Sequence, residues 1–307
     1  MFKNSPHTRA ALQALFVTFL WSTSWVLIKF GLEEIPPLTF AGLRYMLAFL
    51  VLLPFLWRQP VEFVAGKRPS RLPPALTSLT KTDWLRLILL GIVFYAITQG
   101  AQFVALAYAP AVSVTLIWSF TAVAVALLGI VTLGERPNGA QWVGMWLALA
   151  GAVVYFYPFG LAEAQFIGIL AALVGMLSNS VAAVLGRHVN RGGVLRPLTV
   201  TVISMGVGAL ILLAAGIASH GIPALRWQSW AIIVWLAVVN TAVAFTLWNH
   251  TLRTLSAMES TVINNTMTVQ IAILAVLFLG ETLDGRELLG LTAVVAGTLI
   301  VQVRRSK

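Results

Sequence analysis

The chain has 307 residues, of which 59% are hydrophobic and 10% charged, with a net charge of +10 and a mean hydropathy of +0.90. Soluble domains carry roughly 45–50% apolar and about 25% charged residues, so this composition excludes a soluble globule, and it is too apolar for a disordered chain. A membrane-spanning helix takes roughly 20 apolar residues, and ten would use most of this chain. We therefore predict an all-α polytopic membrane protein without a separate soluble catalytic domain.

Apolar runs interrupted by glycine, proline and charge predict ten spans. Pro36 and Pro37 separate the first two spans, Pro110 separates the third from the fourth, and Pro158 ends the fifth. Because no proline lies in the middle of a span, a helix broken at mid-membrane is not predicted from proline. The predicted spans cover residues 9–31, 38–57, 84–107, 111–132, 139–157, 165–187, 196–218, 228–251, 258–279 and 286–303.

The basic residues are distributed unevenly between the two sides of this predicted topology. Sixteen of the 20 Lys and Arg lie on the side that holds both termini, three lie on the other side, and Arg44 lies within the second span. The positive-inside rule then places both termini in the cytoplasm of a multi-pass protein of the cell (inner) membrane. Because the positive charge is spread over loops as an orientation signal, we predict the lipid bilayer as a partner and no nucleic acid.

Two segments of the chain repeat each other without gaps. Residues 134–155 align with residues 280–301 at an offset of 146. Glycine on a membrane helix lets a neighbouring backbone approach closely, so matched glycines at fixed spacing are a specific signal. The identical pairs are Gly134 with Gly280, Glu135 with Glu281, Gly139 with Gly285, Gly144 with Gly290, and Gly151 with Gly297.

This repeat predicts two five-helix units, 1–160 and 161–307. Five is an odd number of crossings, so the second unit is inverted relative to the first. Inverted repeats with a central cavity at their interface are typical of transporters. The alternative interpretation is a duplicated scaffold without a transport role.

Several of these motifs resemble those of the drug/metabolite transporter superfamily, in particular its EamA-type members. The resemblance rests on the first-helix stretch 21–25 (Trp-Ser-Thr-Ser-Trp), on Lys29, Pro36-Pro37 and Arg44, and on the two Gly-Glu pairs. It implies ten helices, a central cavity between the halves, and export or exchange of small metabolites. Within the superfamily, the aromatic cavity residues resemble most those of the YddG-type exporters of aromatic amino acids.

The chain departs from the family pattern at three positions. Ser22 replaces the glycine that commonly follows the first-helix tryptophan. Ala122 and Thr268 replace the prolines that commonly precede each signature glutamate by some thirteen residues. A gating role carried by flexibility at those prolines is therefore not transferred to this chain.

Polar and aromatic residues inside the predicted spans mark a candidate substrate site, because polar groups are costly in a bilayer. They concentrate on helices 1, 3, 4, 6, 8 and 9, three from each half. The alternatives are packing between helices for the polar side chains and interfacial anchoring for tryptophans, which we assign to Trp57, Trp84 and Trp230. The predicted substrate-binding residues are Trp21, Trp25, Tyr95, Gln99, Gln102, Trp118, Ser119, Asn179, Phe245, Trp248, Asn264 and Asn265.

A second set of residues is predicted to be structural or to take part in gating. The glycine of each Gly-Glu pair can end one helix, and the glutamate carboxylate can stabilise the N-terminus of the next helix. The two cations near the outer helix ends either attract a substrate carboxylate or snorkel to the interface. Glu259 is expected to pair with Arg253 or His250, and His7 to be solvated. The set comprises Lys29, Arg44, Gly134, Glu135, Glu259, Gly280 and Glu281.

Taken together, the sequence predicts a secondary transporter that works by alternating access. Its predicted substrates are small amphipathic metabolites, with aromatic or large neutral amino acids first. We predict no cofactor and no metal: the chain has no cysteine and no phosphate-binding loop. The oligomeric state stays open, and a monomer fits. Alternatives are a carrier of nucleotide-sugars or drug-like cations, or an intramembrane lipid-modifying enzyme, although the His-Glu-x-x-His and Gly-x-Ser-x-Gly motifs are absent.

Overall fold

The computed structural model describes residues 6–56, 79–133, 138–158, 162–191, 197–221, 223–251, 254–255 and 257–302. Within these ranges the chain forms ten helices, which confirms the predicted number and places most boundaries within a few residues of the prediction. Nine of them are long and apolar enough to span a membrane, and the tenth contains a shorter apolar segment, Trp227–Val243. The helices are α1 (Pro6–Gly31), α2 (Pro37–Leu56), α3 (Lys81–Tyr108), α4 (Ala111–Ser119 and Thr121–Leu133), α5 (Gly139–Phe156), α6 (Glu163–Arg191), α7 (Pro197–His220), α8 (Trp227–Val243 and Ala244–Thr251), α9 (Ala257–Leu279) and α10 (Gly285–Gln302).

The bundle has two ends, which we name by the chain. The terminal face is the end at which α1 begins and α10 finishes, and the distal face is the end at which α1 finishes and α10 begins. The helices pack symmetrically: α2 lies against α7, and α5 lies against α10. The contact of α1 with α9 corresponds to that of α6 with α4, and α8 lies on α1 as α3 lies on α6. Exchanging the two halves therefore reproduces the packing, as inverted five-helix repeats require.

The glycines of the repeat lie at the contact between α5 and α10. A Cβ on Gly144 would come within 2.7 Å of the carbonyl oxygen of Gly297, and a Cβ on Gly151 within 2.7 Å of that of Gly290. The reverse contacts are equally close, at 2.6 and 2.7 Å. Because the repeat equates Gly144 with Gly290 and Gly151 with Gly297, the contact is symmetric. Both pairs bring the two backbones together where a side chain would separate them.

Both helices of this pair begin with the same reciprocal cap. At α5, Asn138 accepts a hydrogen bond from the Gln141 amide at 2.9 Å, and the Gln141 side chain accepts one from the Asn138 amide at 3.0 Å. At α10, Asp284 and Glu287 make the same exchange at 2.6 and 2.9 Å. These residues differ by the offset of 146, so the repeat extends to the helix caps.

Two helices contain π-helical segments, Gly91–Gln99 in α3 and Val238–Val243 in α8. In each, a threonine hydroxyl donates to the carbonyl five residues earlier: Thr98 to Val93 and Thr241 to Leu236, both at 2.8 Å. A hydroxyl bonded to its own helix backbone competes with the regular hydrogen-bond ladder. The two segments occupy corresponding places in the two halves.

One helix, α4, has an irregular turn near its middle although no proline lies there. This helix is interrupted at Phe120, whose amide donates to Ile117 at 3.1 Å in a tighter turn. The adjacent Ser119 hydroxyl donates to the Leu116 carbonyl at 2.6 Å. The interruption occurs without proline, because the local hydrogen-bond pattern alone changes the turn.

Candidate functional site

Five aromatic residues from α1, α4 and α8 form what we call the aromatic wall: Trp21, Trp25, Trp118, Phe245 and Trp248. The Trp25 and Trp118 rings meet edge to face with centroids 5.9 Å apart. One turn along α1, Trp21 packs against Phe245 at 5.3 Å and Trp248 at 5.2 Å. The indole of Trp21 also donates to the Asn240 carbonyl at 3.1 Å, which holds the ring against α8.

The aromatic wall is only partly covered by protein. Trp25 is buried, but Trp21, Trp118, Phe245 and Trp248 are half-buried. The indole nitrogen of Trp118 is buried and has no hydrogen-bond partner among the described atoms. Indole N–H groups usually find a partner when buried. This nitrogen lies near Gly175 of α6, so the wall presents mainly its partly exposed ring faces, which suit a flat, partly apolar solute.

The predicted polar residues of α3 turn towards α2. The Tyr45 hydroxyl donates to the Gln99 side-chain oxygen at 2.7 Å, and the Tyr45 ring lies 5.6 Å from that of Tyr95. Tyr95, Gln99 and Gln102 are all buried. The structure thus packs Tyr95 and Gln99 against Tyr45 of α2.

Arg44 lies beside this group and does not snorkel. Its residue is 5% exposed, and the guanidinium stacks over Tyr45 at 5.2 Å and Phe103 at 6.0 Å. One long hydrogen bond of 3.4 Å joins its Nη2 to the Thr241 hydroxyl of α8. Its Nε is buried and has no partner among the described atoms. Of the two interpretations of this cation, interfacial snorkelling is therefore wrong.

A polar network that the predicted site did not include joins α1 to α9. The Ser22 hydroxyl donates to the Gln270 side-chain oxygen at 2.9 Å. The Gln270 amide donates to Thr266 at 3.0 Å and to Thr18 at 3.3 Å. The helical spacing of Thr18 and Ser22 on α1 is the sequence signal that could have pointed to this network.

A second buried amide, also outside the predicted site, joins α8 to α1. Asn240 is fully buried, and its side-chain nitrogen donates to the Leu20 carbonyl and, at 3.4 Å, to the Thr23 hydroxyl. Its side-chain oxygen is left without a partner among the described atoms. A buried polar atom without a partner is costly, so it marks a place where a ligand or water completes the hydrogen bonding.

Glu281 closes the distal face. Its carboxylate accepts hydrogen bonds from the first amides of α4, Ala111 at 2.5 Å and Val112 at 3.0 Å. Lys29 donates to the Ala109 carbonyl at 2.9 Å, just before α4 begins. Gly280, with a φ of +66°, ends α9 as predicted. The expectation that Glu281 serves the next helix was wrong: α10 has its own cap, and Glu281 reaches α4.

The contact between α4 and α9 changes along its length. On the distal side of α4, every residue from Ala111 to Ile117 is buried, whereas the residues from Trp118 to Ala126 are half-buried. On α9, Ile271, Ala272, Leu274 and Ala275 are buried, while the residues that precede them are largely half-buried. The seam between the two helices is thus tight at the distal face and opens towards the terminal face.

Two clefts flank Glu281 at the distal face, with volumes of about 510 and 430 Å³. Both are lined by Pro110 and Glu281. The first also contains Lys29 and Glu33, and the second contains Ser113. Neither cleft is lined by a residue of the aromatic wall.

The remaining predicted residues are more dispersed. Asn179 donates to Thr121 of α4 at 3.5 Å, and Asn264 is exposed. Asn265 donates to Gln302 of α10 at 2.6 Å, so its amide is engaged at a helix–helix contact. Gly134 and Glu135 lie outside the described residues, as does Trp57.

Glu259 has a partner that the sequence did not suggest. Its carboxylate lies 2.8 Å from the His7 ring, where α9 begins beside α1 at the terminal face. His7 is solvated as expected, with its side chain 55% exposed, but its pairing with Glu259 was not expected. A contact between residues 252 positions apart leaves no local pattern in the sequence.

Comparison with known proteins covers nearly the whole chain. A family model described as the EamA-like transporter family matches residues 8–157 and 166–303. A "Probable amino-acid metabolite efflux pump" of Escherichia coli (strain K12) is 29% identical, over 94% of this chain and 92% of its own. An "Uncharacterized inner membrane transporter" of the same organism is 26% identical, over 95% and 89%. A solved crystal structure, 20% identical, shares the fold with a TM-score of 0.63 over 95% of this chain and 96% of that one.

Proposed function

This chain belongs to the EamA-like transporter family, and from that premise we propose that it exports or exchanges small amphipathic metabolites by alternating access. The proposed substrates are amino acids, with aromatic or large neutral side chains first. Membership of this family implies a protein in the lipid bilayer with a small-molecule substrate. The proposal adds the class of substrate and the transport cycle.

The observation that carries the proposal is the half-buried aromatic wall with its partly exposed ring faces. Aromatic pairs contribute about 0.5–1.5 kcal/mol beyond the area that they bury, and a substrate ammonium gains from lying over an indole face. The name of the similar E. coli protein, an amino-acid metabolite efflux pump, supports the same substrate class.

The two ends of the seam between α4 and α9 support an alternating-access cycle. The distal end is tight and capped by Glu281, while the terminal end is less tightly packed. In the proposed cycle, the halves 1–160 and 161–307 rock against each other, so that the distal end opens as the terminal end closes.

The decisive experiment is a solute screen in proteoliposomes that contain only this protein. We expect saturable uptake or exchange of aromatic and large neutral amino acids, with sugars and phosphorylated metabolites competing poorly. Empty liposomes and liposomes with heat-inactivated protein serve as controls. Equal transport of all solute classes, or none, would refute the proposed substrate class.

We also propose that both termini are cytoplasmic, from the charge distribution. Reporter fusions at Lys307 and within residues 158–165 test this topology. The first fusion should be active only with a cytoplasmic reporter, and the second only with an external one. The opposite result at either site would reverse the orientation.

A further inference from the structure

Arg44 is the strongest unsatisfied charge in the described bundle. Its guanidinium carries five donors, yet only the 3.4 Å hydrogen bond to Thr241 and two aromatic stacking contacts surround it. It lies seven residues into α2, about 10 Å below the distal end of that helix. A cation at such a depth in a bilayer is expensive unless it is paired.

The chain itself supplies no anion at this depth. All ten Asp and Glu residues lie near the ends of the predicted spans or in loops. Among the described residues, the ion pairs join Glu34 to Arg226, Glu259 to His7, and Asp284 to Arg286, and none reaches Arg44. The counter-ion of this guanidinium therefore has to come from outside the chain.

The position of Arg44 points to the interior of the transporter. It bridges Phe103 of α3 and Thr241 of α8, two helices that occupy corresponding places in the two halves. The next residue on α8, Asn240, carries the unpartnered side-chain oxygen. The Arg44 guanidinium and the Asn240 amide thus contact α8 at neighbouring residues, with Arg44 reaching it from α2 and Asn240 bonded across to α1.

The cation occurs in only one half. The sequence Pro-Leu-Thr begins both α2, at residues 37–39, and α7, at residues 197–199, an offset of 160. At this offset Arg44 corresponds to Ser204, whose hydroxyl donates to the Val200 carbonyl of its own helix at 2.6 Å. The symmetric scaffold therefore contains a single asymmetric anion subsite, which fits one carboxylate in each transport cycle.

We propose that Arg44 binds the carboxylate of the transported solute, with the planar guanidinium fork providing bidentate contact. This rests on the proposed function and narrows it to solutes that carry a free carboxylate. The aromatic wall then selects the side chain, and Arg44 selects the acid group. Tyr45 and Gln99 hold the guanidinium in place through the stacking contact and the hydrogen bond between them.

The test compares two solute pairs on the detergent-purified protein. The pairs are L-phenylalanine with L-phenylalaninamide, and L-leucine with L-leucinamide. In each pair the amide lacks the negative charge of the acid. We expect the wild-type protein to bind at least one acid tenfold or more tightly than its amide. Arg44→Gln should lose this preference by weakening acid binding at least tenfold while changing amide binding less than twofold, and Arg44→Lys should retain part of it.

Two controls separate a carboxylate subsite from other roles. Lys29→Gln removes a cation near the distal end of α1, which already donates to Ala109, and should retain the preference for the acid. Titration with chloride against gluconate shows whether an inorganic anion occupies the site in competition with the amino acid. Chloride binding that the amino acid does not displace would overturn the proposal.

The outcomes for the two proposals are distinguishable. Equal binding of acid and amide by the wild-type protein overturns the carboxylate subsite and leaves amino-acid transport standing. Binding of neither pair overturns the proposed substrate class and the subsite with it. Because the wild-type comparison needs no substitution, a variant that fails to fold does not decide the result.

Discussion

The seam between α4 and α9 and the contact between α5 and α10 both cross the whole bundle, yet they are built differently. The seam is tight at the distal face, where Glu281 caps α4, and looser at the terminal face. The α5–α10 contact is alike at both levels, with Gly144 against Gly297 and Gly151 against Gly290. In the proposed cycle the seam is the part of the molecule that changes its arrangement, and the α5–α10 contact is the part that keeps one.

Few groups hold the distal end of the seam, and each contributes a large share of its stabilising free energy. Hydrogen bonds to a charged acceptor contribute about 1.5–3 kcal/mol each, and a helix N-terminus favours a carboxylate. In the α5–α10 contact the backbones meet at two glycine pairs, and the Gln141 side-chain amide adds a hydrogen bond between neutral groups, to the Val301 carbonyl at 3.1 Å. Four predictions test this contrast.

The largest effect is expected for Glu281→Ala, which removes both hydrogen bonds to the N-terminus of α4. A loss of about 3 kcal/mol would shift the distal face towards the open state by about a hundredfold. The measurement is the labelling rate of Ser113→Cys, in an otherwise cysteine-free chain, by a membrane-impermeant reagent from the distal side. The residue lines one of the distal clefts.

Glu287→Ala is the matched control for this prediction. It also removes a carboxylate from a helix N-terminus, but this carboxylate caps its own helix, through Asp284. Labelling at position 113 should therefore stay within twofold of the wild-type rate. The same acceleration in both variants would show that Glu281 is not the seal.

The second prediction concerns the contact between α5 and α10, which has the same glycine packing at its two glycine pairs. Gly144→Leu and Gly151→Leu should each lower stability by about 2 kcal/mol, because the new side chain meets the α10 backbone. Thermal unfolding in detergent measures both, with Gly139→Ala as control, since no atom lies within 4 Å of its added Cβ. A much smaller cost at Gly151 than at Gly144 would indicate that α5 and α10 also separate at the distal face.

The third prediction concerns Trp118, where the buried part of α4 gives way to the half-buried part. Trp118→Ala should weaken substrate binding by about 1 kcal/mol, a several-fold loss of apparent affinity. Trp230→Ala removes a ring of the same kind that is 46% exposed, and should leave the affinity almost unchanged. Transport assays in proteoliposomes compare the two. Equal losses would show that the aromatic wall does not contact the substrate.

The smallest effect is expected for Gln270→Met, which removes the network between α1 and α9. Hydrogen bonds between membrane helices contribute about 0.6 kcal/mol on average, so the loss of stability should be close to this value. Thr292→Val, whose hydroxyl donates within α10, serves as control. Distal labelling should not change, because α1 and α9 stay together; an altered labelling rate would place this network in the gate.

The spans and the repeat could be read from the sequence, because apolar length and glycine spacing are local patterns. The ten helices and the role of Gly280 as a helix end follow directly from them. The predicted aromatic residues of α1, α4 and α8 do meet in one wall. The helix period places them on single faces, and the repeat indicates which helices face each other.

The remainder depends on contacts between residues far apart in the chain. Glu281 meets amides about 170 positions away, and His7 meets Glu259 from the opposite end of the chain. The π-helical segments arise from threonine hydroxyls whose choice of carbonyl is set by packing. Asn265 was predicted to bind substrate because it is an amide on a polar helix, but side-chain type alone does not reveal its pairing with Gln302 of α10.

The glycine contacts between α5 and α10 also have a mechanical consequence. One residue of sliding along either helix is about 1.5 Å, which would move each glycine off its partner and drive a neighbouring side chain into the opposing backbone. Translation along this contact is thus blocked, while a small rotation about it keeps both backbones in touch. In the proposed cycle this pair is the pivot, and the displacement of the other helices of each half grows with their distance from it.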